Sequence, residues 1–283
     1  MEPGEARRAV AAAMSAASAL DLAIDDAVVL NNSNRLVARL LPCDIVARVS
    51  PMGWFSAARE VELARRLADD TDAPVAGLDP RVEPRLHERD GFEISMWTYF
   101  DPAHSEELAP AVYADALERL HGALRQVDVS ASHFTDRLVE IRRWLADPDV
   151  TPELTDEDRE LLADLIANPG PLFLGAAEQL LHGEPHPWNV LDTKDGPLFI
   201  DFENCARGPV EFDLAWAPRR VSERYRDADQ DLIAECRGVV LALIAAHRWR
   251  RDDQHPSGRE GGVAFLNAVR VGPPWAASDD VTW

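Results

Sequence analysis

The stretch from His182 to Glu203 constrains this chain more than any other. It reads His-Gly-Glu-Pro-His-Pro-Trp-Asn, then Val190-Leu191, then the turn-like run Asp192 to Pro197. Leu198-Phe199-Ile200 and Asp201-Phe202-Glu203 follow. Polar and apolar residues alternate here in an order no core needs. Two apolar runs around an Asp/Gly/Pro loop predict a short β-hairpin. Such a hairpin sets Asn189 at its entry and Asp201 at its exit, so an amide oxygen and a carboxylate come together. Oxygen donors of this kind suit Mg²⁺, which shares its coordination with phosphates. His182 and His186 are four apart, but Pro185 and Pro187 forbid the helix that a helical two-histidine zinc site requires.

The 283 residues are enough for one large domain or two lobes with their own cores. A hydrophobic content of 46% with 28% charged residues is that of a water-soluble globular chain. No apolar run approaches the length of a membrane helix, so no membrane partner is expected. Arg7-Arg8 before an Ala/Ser-rich run has the outline of a signal peptide. Glu2 and Glu5 and the lack of a Leu-rich centre favour a surface helix. The three cysteines, Cys43, Cys205 and Cys236, are widely spaced and form no metal or disulfide pattern, which points to a reducing cytoplasm. A net charge of −21 excludes nucleic acid as an expected partner, since phosphate backbones need a basic face. It suits solubility first, and it would also steer a cationic small molecule.

Residues 4–20 read as an Ala-rich helix. Ala27 to Leu30, Arg35 to Leu40 and Asp44 to Val49 read as three strands joined by Asn- and Pro-containing turns. Residues 55–69 carry apolar positions at helical spacing through Val61, Ala64 and Leu67. Strands over Pro84 to Glu88 and Phe92 to Tyr99 flank Asp90-Gly91, a hairpin signal. Helices are predicted over 106–126, 134–147 and 155–167, the last opened by Thr155 and three acidic residues. Pro169-Gly170-Pro171 breaks the chain, and 173–181 leads into the His182 stretch. Residues 204–209 read as irregular. Helices then begin at Glu211 and span 227–250 and 259–270. The tail from Gly272 is expected to be mobile except where its tryptophans pack.

The segment His182-Gly183-Glu184 with Asn189, a hairpin, and Ile200-Asp201-Phe202-Glu203 resembles the catalytic segment of the aminoglycoside phosphotransferase and choline kinase-like family, relatives of the protein kinases. The resemblance covers about residues 30–217 and is strongest at 182–203. It implies an α+β, two-lobed, protein-kinase-like fold. A small five-stranded antiparallel N-lobe over 1–100 would bind nucleotide, and a mostly helical C-lobe over 101–283 would carry the catalytic loop and acceptor site. It places Glu184 at the catalytic base, and Asn189, Asp201 and Glu203 at the metal, here Mg²⁺. The family has Asp where this chain has Glu184, one methylene longer, and often Gly where it has Trp188. Arg48 takes the place of the phosphate-holding Lys, a fork instead of a point charge, and Glu60 that of its ion-pair partner. The Asn31–Asn34 turn would cover the phosphates. Ser95 to Pro102 would be the adenine-binding hinge, with Trp97 and Tyr99 against the base. His182, His186, His121 and Asp213 are expected as scaffolding, Asp213 by capping its helix and holding the catalytic loop. The implied activity is transfer of the γ-phosphoryl of ATP, or GTP, to a hydroxyl. The acceptor would be small, and a cationic one such as an aminoglycoside-like antibiotic or an amino alcohol, or a sugar, would suit. A role in antibiotic resistance, and a monomer or homodimer, belong to that picture. The alternative is a kinase-like nucleotide- or ligand-binding protein with little turnover, motivated by Glu184.

Overall fold

The computed structural model describes residues 1–33, 35–53, 55–102, 108–167 and 175–283, side chains at 55, 56 and 70 excepted. Asn34, the start of the expected 106–126 helix and the Pro169-Gly170-Pro171 break lie outside the described residues. In chain order the elements are α1 (Pro3–Ser18), β1 (Ile24–Asn32), β2 (Leu36–Pro42), β3 (Ile45–Pro51), α2 (Phe55–Asp70), β4 (His87–Arg89), β5 (Phe92–Thr98), α3 (Pro110–Leu124), α4 (Phe134–Ala146), α5 (Asp156–Ala167), β6 (Glu178–Leu181), β7 (Val190–Thr193), β8 (Gly196–Phe199), β9 (Ala206–Pro209), α6 (Val210–Trp216), α7 (Arg219–Ser222), α8 (Gln230–Arg248) and α9 (Gly258–Val271). The fold is α+β and forms two compact units. One comprises Met1–Glu106, Gln126–Val129 and Leu191–Asn204; the other comprises Glu107–Arg125, Ser130–Val190 and Cys205–Trp283.

The first unit holds an antiparallel sheet in the order β1-β2-β3-β5-β4, the five strands expected. The Asp90-Gly91 turn has both φ angles positive, 48° and 85°, the mirror-image turn whose twist matches paired strands. Helix α1 buries Ala9, Ala12, Ala13, Ala16 and Ala17 against Leu36, Ala38 and Leu40, Ile45, Ala47 and Val49, and Phe92, Ile94 and Met96. Steps of three and four put those alanines on one stripe, and methyl side chains let the helix lie close to the sheet. Strand alternation sends every second residue the other way. Arg48 therefore leaves the α1 face, as does Ser95, its partner across the β3–β5 ladder.

The β7–β8 hairpin forms as predicted and joins this unit. Phe199, fully buried, donates its N–H to Pro74 O at 2.8 Å and accepts from Ala76 N at 3.0 Å. Two backbone bonds thus tie the return strand to the segment after α2, and Asp201 emerges from an anchored strand.

In the second unit α8 lies at the centre, packed with α4, α5, α6 and α9. Its residues 239–243 are all buried, so it is apolar on every side over that stretch. Residues 204–209 are not irregular throughout: β9 pairs antiparallel with β6, and neither segment carries a strand signal in the sequence. Four-residue strands are too short to show alternation. The tail is packed at both its tryptophans. Trp275 lies against Gly238 of α8 and Trp283 against Gly261 of α9, where a Cβ would come within 2.6 Å and 2.7 Å of the rings.

Candidate active site

Four places in the chain, three within 35–60 and one at 201–203, present charge to one point of the first unit. Arg48 comes from the middle of β3 and Glu60 from the buried side of α2. Arg35 precedes β2, and Asp201 and Glu203 follow β8. Glu60 Oε1 accepts from Arg48 Nη1, and Glu60 Oε2 accepts from Arg35 Nη1 at 2.6 Å. Arg35 Nη2 reaches Asp201 Oδ1 at 2.6 Å, and Arg48 Nη2 reaches Asp201 Oδ2 at 2.8 Å. Two guanidinium groups and two carboxylates close a ring of ion pairs in which all four carboxylate oxygens are used. The fork geometry of arginine permits this, since each side chain bridges two acids. Glu60 also accepts from the N–H of Phe202 at 3.2 Å, and Arg59 donates to Glu203 O at 3.1 Å.

Glu60 is 1% exposed and Arg35 5%, so the ring is largely out of water. Burial opposes the charge of Arg35, but Glu60, Asp201 and Glu203 overcome it and hold its proton more tightly than usual. Glu203 stands outside the ring, 3.3 Å from Arg35. Burial, then the charge of Asp201, pushes its carboxyl up to about 7. Asp201 has φ +69°, a left-handed conformation uncommon outside glycine, which aims its carboxylate back at the two arginines. Two adjacent carboxylates, one of them short of positive charge, fit a hard divalent cation. Among the described residues no group of three or more His, Cys, Asp and Glu side chains could hold a metal. Asp201 and Glu203 are oxygen donors of the kind an ion takes one or two of when phosphate oxygens and water complete its shell.

Trp97 is buried, with its N–H donated to Ser95 Oγ at 2.8 Å and the Arg48 guanidinium 5.7 Å from its ring centre. Tyr99, beyond the end of β5, carries the Arg39 guanidinium 3.7 Å over its ring.

In the second unit the loop from His182 to Asn189 is held mainly through its backbone. Asp213 accepts from His182 N and Gly183 N, both at 2.8 Å. Its carboxylate holds the loop instead of capping α6, whose first turn it already occupies. His121 ties Asp213 Oδ2 at 3.0 Å to Tyr225 OH at 2.8 Å. Gly183 turns the loop at φ 97°, where a side chain would be strained. His182 Nδ1 accepts from Glu184 N, and Tyr113 OH donates to Pro185 O at 2.7 Å. Asn189 Nδ2 donates to Glu184 O at 3.0 Å, so the amide nitrogen serves the loop and Oδ1 is its other atom. The Glu184 carboxylate meets Arg137 of α4 at 2.5 Å, and Arg137 also lies 3.4 Å from His247 Nε2. Burial, then the positive charges of Arg137, Arg250 and Arg248, hold His247 well below its usual pKa. A neutral imidazole can accept from Arg137. Trp188 is 79% exposed.

A family model described as the phosphotransferase enzyme family, APH, matches residues 32–254. The chain belongs to that family. The match runs on past residue 217, into α8 and beyond, where no motif marks it. No curated protein sequence matches the chain. Among solved structures, the GDP and kanamycin complex of APH(2")-IIia has a TM-score of 0.70 at 16% identity, over 93% of this chain and 98% of that one. Amicoumacin kinase hAmiN, in complex with AMP-PNP, Ca²⁺ and Ami, has a TM-score of 0.70 at 10% identity, over 96% and 97%. Spectinomycin phosphotransferase APH(9)-Ia, with ADP and spectinomycin, has a TM-score of 0.62 at 12% identity, over 87% and 90%. At these identities the likeness is one of fold.

Two arginines of this family member escaped the sequence. Arg35 sits in a turn among asparagines and Arg137 on a helix with no motif. Neither position carries a pattern, because each acts through a partner 166 and 47 residues away.

Proposed function

We propose that this chain is a small-molecule kinase that moves the γ-phosphoryl group of ATP, or GTP, to a hydroxyl of a small acceptor. The observation that carries the reading is the meeting of Arg48, Glu60 and Asp201 in one charged cluster. Family membership gives the reaction class. The structures it resembles include complexes with GDP, with ADP, and with AMP-PNP and Ca²⁺, in keeping with nucleotide and a divalent ion. No helix among the described residues is long and apolar enough to cross a membrane.

Phosphoryl transfer asks mainly for alignment and neutralised charge. Mg²⁺, when bound, would neutralise the nucleotide phosphates. Asp201 and Glu203 are assigned to hold it, with the Asn189 amide oxygen as a further ligand. Arg48 contacts phosphate, Glu60 keeps Arg48 aimed, and the hinge at Trp97 and Tyr99 meets the base. Glu184 orients the acceptor hydroxyl and takes its proton. Arg137 fixes the longer Glu184 side chain in one rotamer, which answers the added methylene. The kinase-like binding protein without turnover is the outcome this assignment must beat.

The test is ADP release from ATP with Mg²⁺ over a panel of aminoglycosides, amino alcohols and sugars. The reading expects acceptor-dependent release with at least one of them. No release with any acceptor, together with nucleotide binding indifferent to Mg²⁺, would sink it.

A further inference from the structure

Both oxygens of Asp201 are engaged by guanidinium groups, and one of those groups, Arg35, has no counterpart in the Lys–Glu scheme. A metal on Asp201 and two arginines on Asp201 compete for the same lone pairs. Arg35 is the one free to change partner. Its Nη1 is secured on Glu60 at 2.6 Å, so a swing of the fork can release Nη2 without stranding the side chain. It leads directly into β2, close after the end of β1 at Asn32. Glu203, 3.3 Å from Nη2, stays within reach during that swing, and an arriving phosphate would supply the charge that Asp201 gives up, which matters because a buried guanidinium without a partner is costly.

We propose that Arg35 is a latch with two exclusive partners. It holds Asp201 while the nucleotide is absent and transfers to a nucleotide phosphate when one binds, opening Asp201 to the metal. The inference rests on the kinase reading and adds a residue to it. Arg35 has acidic partners before binding, with Glu60, Asp201 and Glu203 all within ion-pair reach, and phosphate and cation enter together. Before nucleotide binds, Arg35 would thus compete with a free divalent ion for Asp201.

The proposal is checked by binding alone. Titration calorimetry with ADP in excess EDTA compares the unmodified chain, Asp201→Asn, Arg35→Met and the double variant. Asn tolerates the left-handed conformation at 201, so the fold is retained. Asp201→Asn weakens the hold on Arg35, and metal-free ADP should bind at least about tenfold tighter, one 1.4 kcal/mol step. Arg35→Met should bind at least tenfold more weakly, and the gain from Asp201→Asn should vanish in the double variant. A second arm titrates Mn²⁺ without nucleotide. Arg35→Met should bind it at least tenfold tighter than the unmodified chain, while Arg66→Met on the outer face of α2 should not. The latch is overturned if Asp201→Asn leaves metal-free ADP binding unchanged or weaker, if its gain persists without Arg35, or if Arg66→Met matches Arg35→Met with Mn²⁺. ADP that fails to bind even with Mg²⁺ present removes the kinase reading itself, and that arm is read separately.

Discussion

Glu60 shows what a single side chain can be made to carry. Its two oxygens neutralise two guanidinium groups and accept a backbone N–H as well. Glu60→Ala leaves Arg35 and Arg48 facing one another with little water, and breaking a buried pair in this way costs about 3–5 kcal/mol. Urea denaturation should record a loss of that size, and a loss under about 1 kcal/mol would mean that the ring contributes little to folding. Glu184 is different in kind, since its partner Arg137 is replaceable by water. Glu184→Ala should lower kcat by about 10²–10⁴-fold, the usual scale for a general base, and leave ADP affinity unchanged. Arg137→Met should lower kcat less, with Arg137→Lys restoring part of it. Retention of most activity in Glu184→Ala would move the base elsewhere.

Elements succeed or fail as predictions according to length and to how one-sided they are. Helix α1 and strand β2 each bury one face, so their periods of about 3.6 and 2 stand out in the sequence, whereas β3 and β5 are buried on both faces over 47–50 and 94–97 and show as apolar-rich runs between turns. Strands β6 and β9 were missed because four residues show no period, and what makes them strands is each other. The tail was expected to be mobile beyond its tryptophans, and α8 and α9 explain where those pack: Gly238 and Gly261 are missing side chains into which Trp275 and Trp283 fit. Gly238→Ala should therefore destabilise the chain. Overpacking costs about 1–3 kcal/mol, which outweighs the roughly 0.5–1 kcal/mol that alanine returns inside a helix. A thermal midpoint equal to or above that of the unmodified chain would show that Trp275 moves aside without cost.

At the scale of the whole molecule, pH acts through groups held away from their ordinary state. His247 is depressed in the folded chain by burial and by Arg137, Arg250 and Arg248. As pH falls below about 6.5 the unfolded chain takes up a proton that the folded chain refuses. Stability from this group is thus complete above that pH and lost below it, at no more than about 1.4 kcal/mol per pH unit. The carboxyl of Glu203, pushed up to about 7, acts in the opposite sense over this range, so the measure is the difference: lowering the pH from 7.5 to 5.5 should cost the unmodified chain more in urea midpoint than it costs His247→Gln. Identical slopes for the two chains would acquit His247. The net charge of −21 sets solubility on this scale and leaves the fold to the pattern of apolar residues.

Legible in the amino-acid order alone are the class of fold, the five strands and helix α2 of the first unit, the hairpin between Asn189 and Asp201, and the family. All of these rest on local order: periodicity, turn chemistry, and a motif contained in 182–203. The sequence also named Arg48, Glu60, Asp201 and Glu203, which the structure gathers in one cluster. Folding in three dimensions adds that Arg35 closes this cluster into a ring, that Arg137 and His247 stand behind Glu184, and that Asp213 holds the loop at two N–H groups without capping its helix. These are contacts between residues dozens of positions apart, specified by how sheet and helices fold back on themselves, and a charged side chain looks the same in a sequence whether it meets water or a buried partner.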